Sequence, residues 1–224
     1  MSTNFTVIDA IYRSRMTLLE ILTARGYDVE RFTHFTPAEA TLAVTSSADT
    51  SHTAAHFAGL SFTAAKREEP QQVCDVRYIL NLGRNKLNDF FNNVSDNDAP
   101  NTEVIVMLLD PLSDMHHVSA LKQYLKVNEE GQRRKLRVSF FNIYTIVINP
   151  LKHVLVPKHE IVPEAEQAEL MKSLYITTKQ QFPEIKFHID PITRCIGAVP
   201  GDIIKITRPS ASSGEAIIYR VCTA

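Results

Sequence analysis

Apolar side chains return at helical intervals from the start of the chain: Val7, Ile8, Ile11, Tyr12, Leu18, Leu19 and Leu22 fall close to one face of a helix over residues 3–25. Thr3 is the expected N-cap, and Gly26 stands where a helix end favours a left-handed residue. Thr36-Pro37-Ala38-Glu39 has the form of a capping box with proline in the first turn, predicting a short second helix. From Thr45 to about Thr63 the chain is rich in Ser, Thr and Ala without a period. A long loop or flexible insertion is expected over about residues 45–67, flanking a weak strand. Val73–Leu80 reads as a strand, and Leu87, Phe90, Phe91 and Val94 form a helical stripe. Glu103–Leu109 is almost wholly apolar, which suits the centre of a sheet. Asp110-Pro111 ends it, and Ser113 is positioned to cap a helix running to Val127 with Val118, Leu121 and Leu125 inward. Leu136–Phe141 and Ile143–Ile148 supply further strand. Strands alternating with helices predict an α/β layer for residues 1–150.

Asn149-Pro150 is the expected boundary to a second domain, residues 151–224. There Pro163 starts a helix with Ala165, Ala168, Met171 and Leu174 on one face. Asp190 can cap a helical turn opened by Pro191 and closed by Gly197. Pro200-Gly201 then turns the chain into the β-branched run Asp202–Thr207. Residues 209–214 form a polar connection to a returning strand, Glu215–Val221. The expectation is an α/β (α+β) chain whose C-terminal domain holds one helix, a short capped helical turn and a small β-sheet.

Composition narrows the function classes. With 44% hydrophobic and 22% charged residues, the 224-residue chain is that of an ordinary globular protein of one large or two small domains. No apolar run approaches the roughly 20 residues a membrane helix needs, and Met1-Ser2-Thr3-Asn4 lacks the basic start of a secretory signal. Cys74, Cys195 and Cys222 make an odd, unpaired set, so small buried thiols in a reducing compartment are expected rather than disulfides. Net charge is −1, and residues 1–150 carry 15 Lys/Arg against 17 Asp/Glu. That balance speaks against tight autonomous binding of nucleic acid.

Candidate chemistry is sparse. His52 and His56 have the i, i+4 spacing of zinc ligands, but Thr53 stands where a zinc protease needs glutamate, and solvated histidines are expected. His116 and His117 point to different helix faces. Gly83-Arg84-Asn85-Lys86 lacks the second glycine and the Lys-Ser/Thr pair of a phosphate loop. Asp75, Glu103 and Asp110 occupy strand edges, as nuclease carboxylates do, yet the accompanying lysine is missing after Glu103. No catalytic group, metal or cofactor is expected. The one basic cluster is Arg133-Arg134-Lys135-Leu136-Arg137, a solvated turn or a phosphate-positioning contact.

Several C-terminal motifs share one order: Leu155-Val156-Pro157-Lys158-His159, Pro183 and Ile185, Asp190-Pro191, Arg194, Gly197, Gly201, Lys205-Ile206, Arg208-Pro209-Ser210, Gly214 and Tyr219-Arg220. Their order and spacing resemble the C-terminal domain of the fifth subunit of eukaryotic RNA polymerases, which has an equivalent among the small subunits of the archaeal enzyme. Tyr12-Arg13-Ser14-Arg15, Thr17 and Arg25-Gly26-Tyr27 resemble that family's opening helix. Lys158, Cys195 and Ala211 depart from the family's glutamate, tyrosine and glutamate, as in a divergent or paralogous member. The resemblance implies a non-catalytic subunit of a nuclear DNA-directed RNA polymerase. It implies an N-terminal jaw-type domain near downstream duplex DNA, bound weakly and only in the complex, and a C-terminal domain docked on the largest subunit among other polymerase subunits. Arg194, Lys205, Arg208, Ser210, Tyr219 and Arg220 are then the docking candidates. The family's DNA-proximal Thr-Pro-Ser-Ala segment corresponds to His117-Val118-Ser119-Ala120, which makes Ser119, Ala120, Arg133, Arg134 and Lys135 the DNA-proximal candidates. The alternatives are an interaction protein using the same C-terminal module in another complex and, behind it, an enzyme of the nuclease class.

Overall fold

The apolar run after Thr102 forms one of the two inner strands of a four-stranded sheet in the computed structural model, which describes residues 2–47, 58–79, 82–97, 102–126, 136–187 and 189–224. The described chain divides into two compact units, Met1–Asn149 and Pro150–Ala224. In unit 1, β1 (Phe62–Ala65) pairs antiparallel with β2 (Val73–Ile79), and β2, β3 (Thr102–Leu108) and β4 (Arg137–Asn142) run parallel in the order β1-β2-β3-β4. Parallel neighbours need crossovers, here α3 (Arg84–Asn97) and α4 (Asp114–Leu125). Val104, Val106 and Leu108 of β3 pack with Leu87, Phe90, Phe91 and Val94 of α3. Ile105 and Met107, on the opposite face by alternation, are equally buried, so both faces of β3 are covered.

Two helices precede the sheet. α1 (Ser2–Ala24) starts before Thr3, which is therefore inside the helix rather than its cap; Gly26 follows its end at φ 85°. α2 (Pro37–Ser47) opens on the expected capping box: Thr36 N–H donates to Glu39 Oε2 at 2.7 Å and Glu39 N–H to Thr36 Oγ1 at 3.3 Å. The expected insertion is thus partly ordered secondary structure, with helix to Ser47 and strand over Phe62–Ala65; residues 48–57, with His52 and His56, lie outside the described residues.

Two further expectations in unit 1 are corrected. α4 buries His116, Ala120 and Tyr124, while Val118 is 49% exposed and Leu125 is exposed; Val127 lies outside the described residues. His116 sets this face, because its Nε2 reaches Leu82 O at 2.9 Å while Ser113 N–H donates to its Nδ1 at 3.2 Å. Ile143–Ile148 is a run of turns, not strand. Asn142 ends β4 by accepting from Tyr144 N–H (2.9 Å) and donating to Asp110 O (2.8 Å), an Asx-type turn that competes with the ladder. Ile143 and Ile146 are buried all the same.

Unit 2 holds a second four-stranded sheet, order β5-β7-β8-β6, from β5 (Lys158–Ile161), β6 (Glu184–Lys186), β7 (Ile203–Ser210) and β8 (Gly214–Thr223). The β7–β8 hairpin reaches further than expected: Arg208 and Pro209 are strand residues opposite Ala216 and Glu215, and the connection is only Ala211–Ser213. α5 (Glu164–Ser173) turns Gln167, Leu170 and Met171 inward rather than Ala165 and Ala168, which are exposed. Gln167 anchors it, donating to Val162 O at 2.9 Å and accepting from Lys179 Nζ at 2.6 Å. Asp190 caps α6 (Pro191–Ile196) through Ile192 N–H (2.8 Å) and Thr193 N–H (3.0 Å), and Gly197 closes it at φ 86°.

Candidate assembly surface

Successive residues of β7 alternate between the sheet's faces, and cross-strand partners share a face. Ile203 and Val221 pack with Phe182, Val162, Leu170 and Met171 on the α5 side. Ile204 and Ile206 lie on the other face, with Cys222 and the β6 residue Ile185, all buried. α6 lies against β5, with Ile192 and Cys195 buried. The unalternating Ile203-Ile204-x-Ile206 run therefore reflects a sheet buried on both faces.

This alternation separates the docking candidates. Arg208 is exposed and shares the α6 face with Arg220, which pairs with Ile204 and donates to Glu184 O at 2.9 Å. Arg194 sits half-buried on α6, where burial lowers its pKa. Lys205 and Tyr219 are cross-strand partners on the opposite face; Tyr219 packs on the core with its ring 6.4 Å from that of Phe182. Ser210 lies at the hairpin end, 3.3 Å from the Ser212 hydroxyl.

Between the α6 end and β6 lies an open groove of about 600 Å³. Ile185 and Ile206 form its buried apolar part, and Ile189 stands beside them 68% exposed. Glu184, Lys186 and Asp190 are polar members, together with Arg220 and His159. His159 Nδ1 lies 2.7 Å from Pro157 O; a carbonyl only accepts, so Nδ1 is the donor.

In unit 1 two of the three carboxylates that suggested a metal site are held in ion pairs. Glu103 is buried beside Arg25, which forms a bidentate pair, with Arg137 at 3.1 Å and Tyr27 donating its hydroxyl at 3.2 Å. Burial alone would raise the Glu103 pKa, but Arg25 and Arg137 outweigh it and hold the carboxyl at about 2. Asp75 pairs with Arg77 at 2.6 Å, and Asp110 is exposed. Among the described residues no group of three His, Cys, Asp or Glu could hold a metal ion. All three cysteines are buried and outside any disulfide, and burial with the nearby Glu103 charge pushes the Cys74 thiol well up. Of the DNA-proximal candidates, Ser119 is half-buried, Ala120 is a core residue with no exposed surface, and Arg133, Arg134 and Lys135 lie outside the described residues. No helix among the described residues is long and apolar enough to cross a membrane.

Residues 148–222 match the family model described as RNA polymerase Rpb5, C-terminal domain. Over 69 residues the chain is 54% identical to DNA-directed RNA polymerase subunit Rpo5 of Archaeoglobus fulgidus, an overlap of 31% of this chain and 88% of that relative. The chain belongs to the Rpb5/Rpo5 family of DNA-directed RNA polymerase subunits. A second Rpo5, from Sulfurisphaera tokodaii, is 49% identical over 75 residues, 34% of this chain and 87% of its own length. The Dictyostelium discoideum protein named DNA-directed RNA polymerases I, II, and III subunit rpabc1 is similar along the whole molecule. It is 25% identical over 221 residues, 96% of this chain and 98% of that one.

The three departures from the Rpb5/Rpo5 motifs cost the fold little. Cys195 is a small group buried in α6, Lys158 pairs with Glu160 at 2.6 Å, and Ala211 is exposed in the hairpin connection. Reading the sequence missed Ile189. It sits just before the Asp190 cap, where an apolar residue normally packs on the fourth helical residue; that residue is Arg194, and the missing staple partner was the available signal. Tyr175, 94% exposed at φ 56°, carried no signal in sequence.

Proposed function

We propose that this polymerase subunit is non-catalytic and nuclear, docks on the largest subunit through unit 2, and holds unit 1 in the jaw near downstream duplex DNA. The carrying observation is the unevenness of the similarity. A relative matched over 88% of its length by this chain's C-terminal third is itself named a polymerase subunit. A protein made of little beyond unit 2 therefore suffices to join a polymerase, and that supports unit 2 as the assembly element. The role of unit 1 rests on the full-length likeness to rpabc1 and on Ser119 with the Arg133-Arg134-Lys135 cluster. Its slight acidic excess fits DNA contact made only within the complex.

Each unit, tagged and expressed in the native cell, tests the reading. Residues 150–224 recover the largest subunit and residues 1–149 do not; recovery by 1–149 alone overturns the assignment. Arg208→Glu, at an exposed strand position, weakens assembly while the isolated protein stays folded. Loss of the fold would instead make Arg208 structural.

A further inference from the structure

The β7–β8 hairpin runs past its neighbours. β5 pairs with residues 204–207 of β7 and β6 with residues 221–223 of β8, so residues 208–216 form a two-stranded ribbon with no third strand. At its end residues 211–215 are all exposed, and a Cβ at Gly214, φ 75°, would meet nothing within 4 Å. The Ser213 hydroxyl donates to Glu215 O at 3.0 Å, whereas the Ser212 hydroxyl has only that of Ser210, 3.3 Å away. Glu215 follows Ser212 by three residues, and its carboxylate makes no hydrogen bond or ion pair among the described residues. The spacing alone is commonplace. Thr6 with Asp9 and Thr17 with Glu20 repeat it inside α1, and Thr36 with Glu39 is spent as the capping box of α2. After Ser212 no helix follows, so hydroxyl and carboxylate both stay in solvent. The turn that carries them opens at little cost, because a lone two-stranded ribbon is marginally stable.

From this geometry we infer that Ser212 is a phosphorylation site for a serine kinase that recognises a carboxylate three residues beyond its acceptor. The serine oxygen bonds to the γ-phosphorus of ATP while the bond from that phosphorus to its bridging oxygen breaks; ADP leaves, and the hydroxyl proton goes to the kinase's base. The modification adds a charge of about −1.5 to −2 to the ribbon end. Arg208 lies two residues before Ser210 on the same side of β7, so its guanidinium can reach a phosphate seated beside the Ser210 hydroxyl. Arg208 is exposed and has no carboxylate in ion-pair range among the described residues, which leaves it open to that partner. The phosphate thus occupies an arginine that assembly would use. The site stands on the hairpin alone, and its effect on assembly rests on the proposed docking.

The test incubates the full chain with ATP and casein kinase II, a reagent of this acidic specificity, and maps phosphate by mass spectrometry. The expected result is phosphate on Ser212, its loss in Ser212→Ala, incorporation at least tenfold slower in Glu215→Gln, and no change in Ser213→Ala. Circular dichroism checks that each variant is folded. The chain isolated from native cells with phosphatases inhibited should carry the same phosphate. Ser212 unmodified in either preparation, or equal rates for the native chain and Glu215→Gln, overturns the site. Binding to recombinant largest subunit is then compared before and after modification, with a loss of at least fivefold expected and recovery on phosphatase treatment. Equal affinity overturns the effect on assembly. An unmodified chain that does not bind at all overturns the docking reading, while the mapping still decides the site.

Discussion

Glu103 shows how a residue type can point to chemistry and serve structure. A carboxylate at the start of a parallel strand could hold a metal, but here two guanidinium groups and a phenol surround it. Its folded pKa of about 2 lies below the roughly 4.3 of an unfolded glutamate. The depressed value means the ionised form is favoured in the fold, so its stabilisation is complete above about pH 5 and disappears as pH falls towards 2. Glu103→Gln removes the carboxylate that Arg25 and Arg137 share in a buried site and should cost about 3–5 kcal/mol near pH 7. Urea denaturation from pH 7 to pH 3 checks both points: the variant starts less stable and loses less on acidification. Equal midpoints at pH 7 would show that the cluster contributes nothing net. Arg15, from the same opening motif as the family's, is likewise consumed within the fold. Its guanidinium lies 4.5 Å from the ring centre of Phe35 and 4.6 Å from that of Phe62. Burial pushes the neighbouring Tyr78 hydroxyl up to about 12.

α6 is six residues long, too short to persist alone, so its ends carry much of its definition. Asp190 satisfies two of its first N–H groups, and Gly197 accepts a left-handed turn in which its own N–H and that of Ala198 both reach Thr193 O at 3.2 Å. Asp190→Ala should cost about 1 kcal/mol, and Gly197→Ala about 1–2 kcal/mol for the strained backbone. Equilibrium unfolding of residues 150–224 measures both; a Gly197→Ala variant as stable as the parent would mean the turn relaxes to negative φ. α4 and α5 show the opposite dependence. Their apolar periodicity misplaced most of the inward face, Met171 of α5 excepted, because His116 and Gln167 were drawn inward by carbonyls of distant or preceding segments.

For the whole molecule, a nearly neutral charge predicts weak, non-specific affinity for duplex DNA by the isolated chain. Any binding should fall steeply between low and physiological salt, since it would be driven by release of counterions. Fluorescence anisotropy with unrelated duplexes checks this; nanomolar, sequence-selective binding at physiological salt would contradict it.

The elements of both units were largely legible in sequence where local chemistry decides: the Thr36–Glu39 capping box, the Asp190 cap, the Gly26 and Gly197 ends, and the buried strand Thr102–Leu108. The family was legible because its motifs, caps and turns together with residues of β7 and β8, stand in one order along the chain. Contacts between segments far apart in sequence were not legible. Glu103 meets Arg25 across 78 residues, and His116 meets Leu82 across 34. The docking candidates read as one set, yet strand alternation and the β7–β8 register put Arg208 and Arg220 on one face and Lys205 and Tyr219 on the other. Only the tertiary structure decides such faces, because which side of a helix or strand is inside depends on what the rest of the chain brings against it.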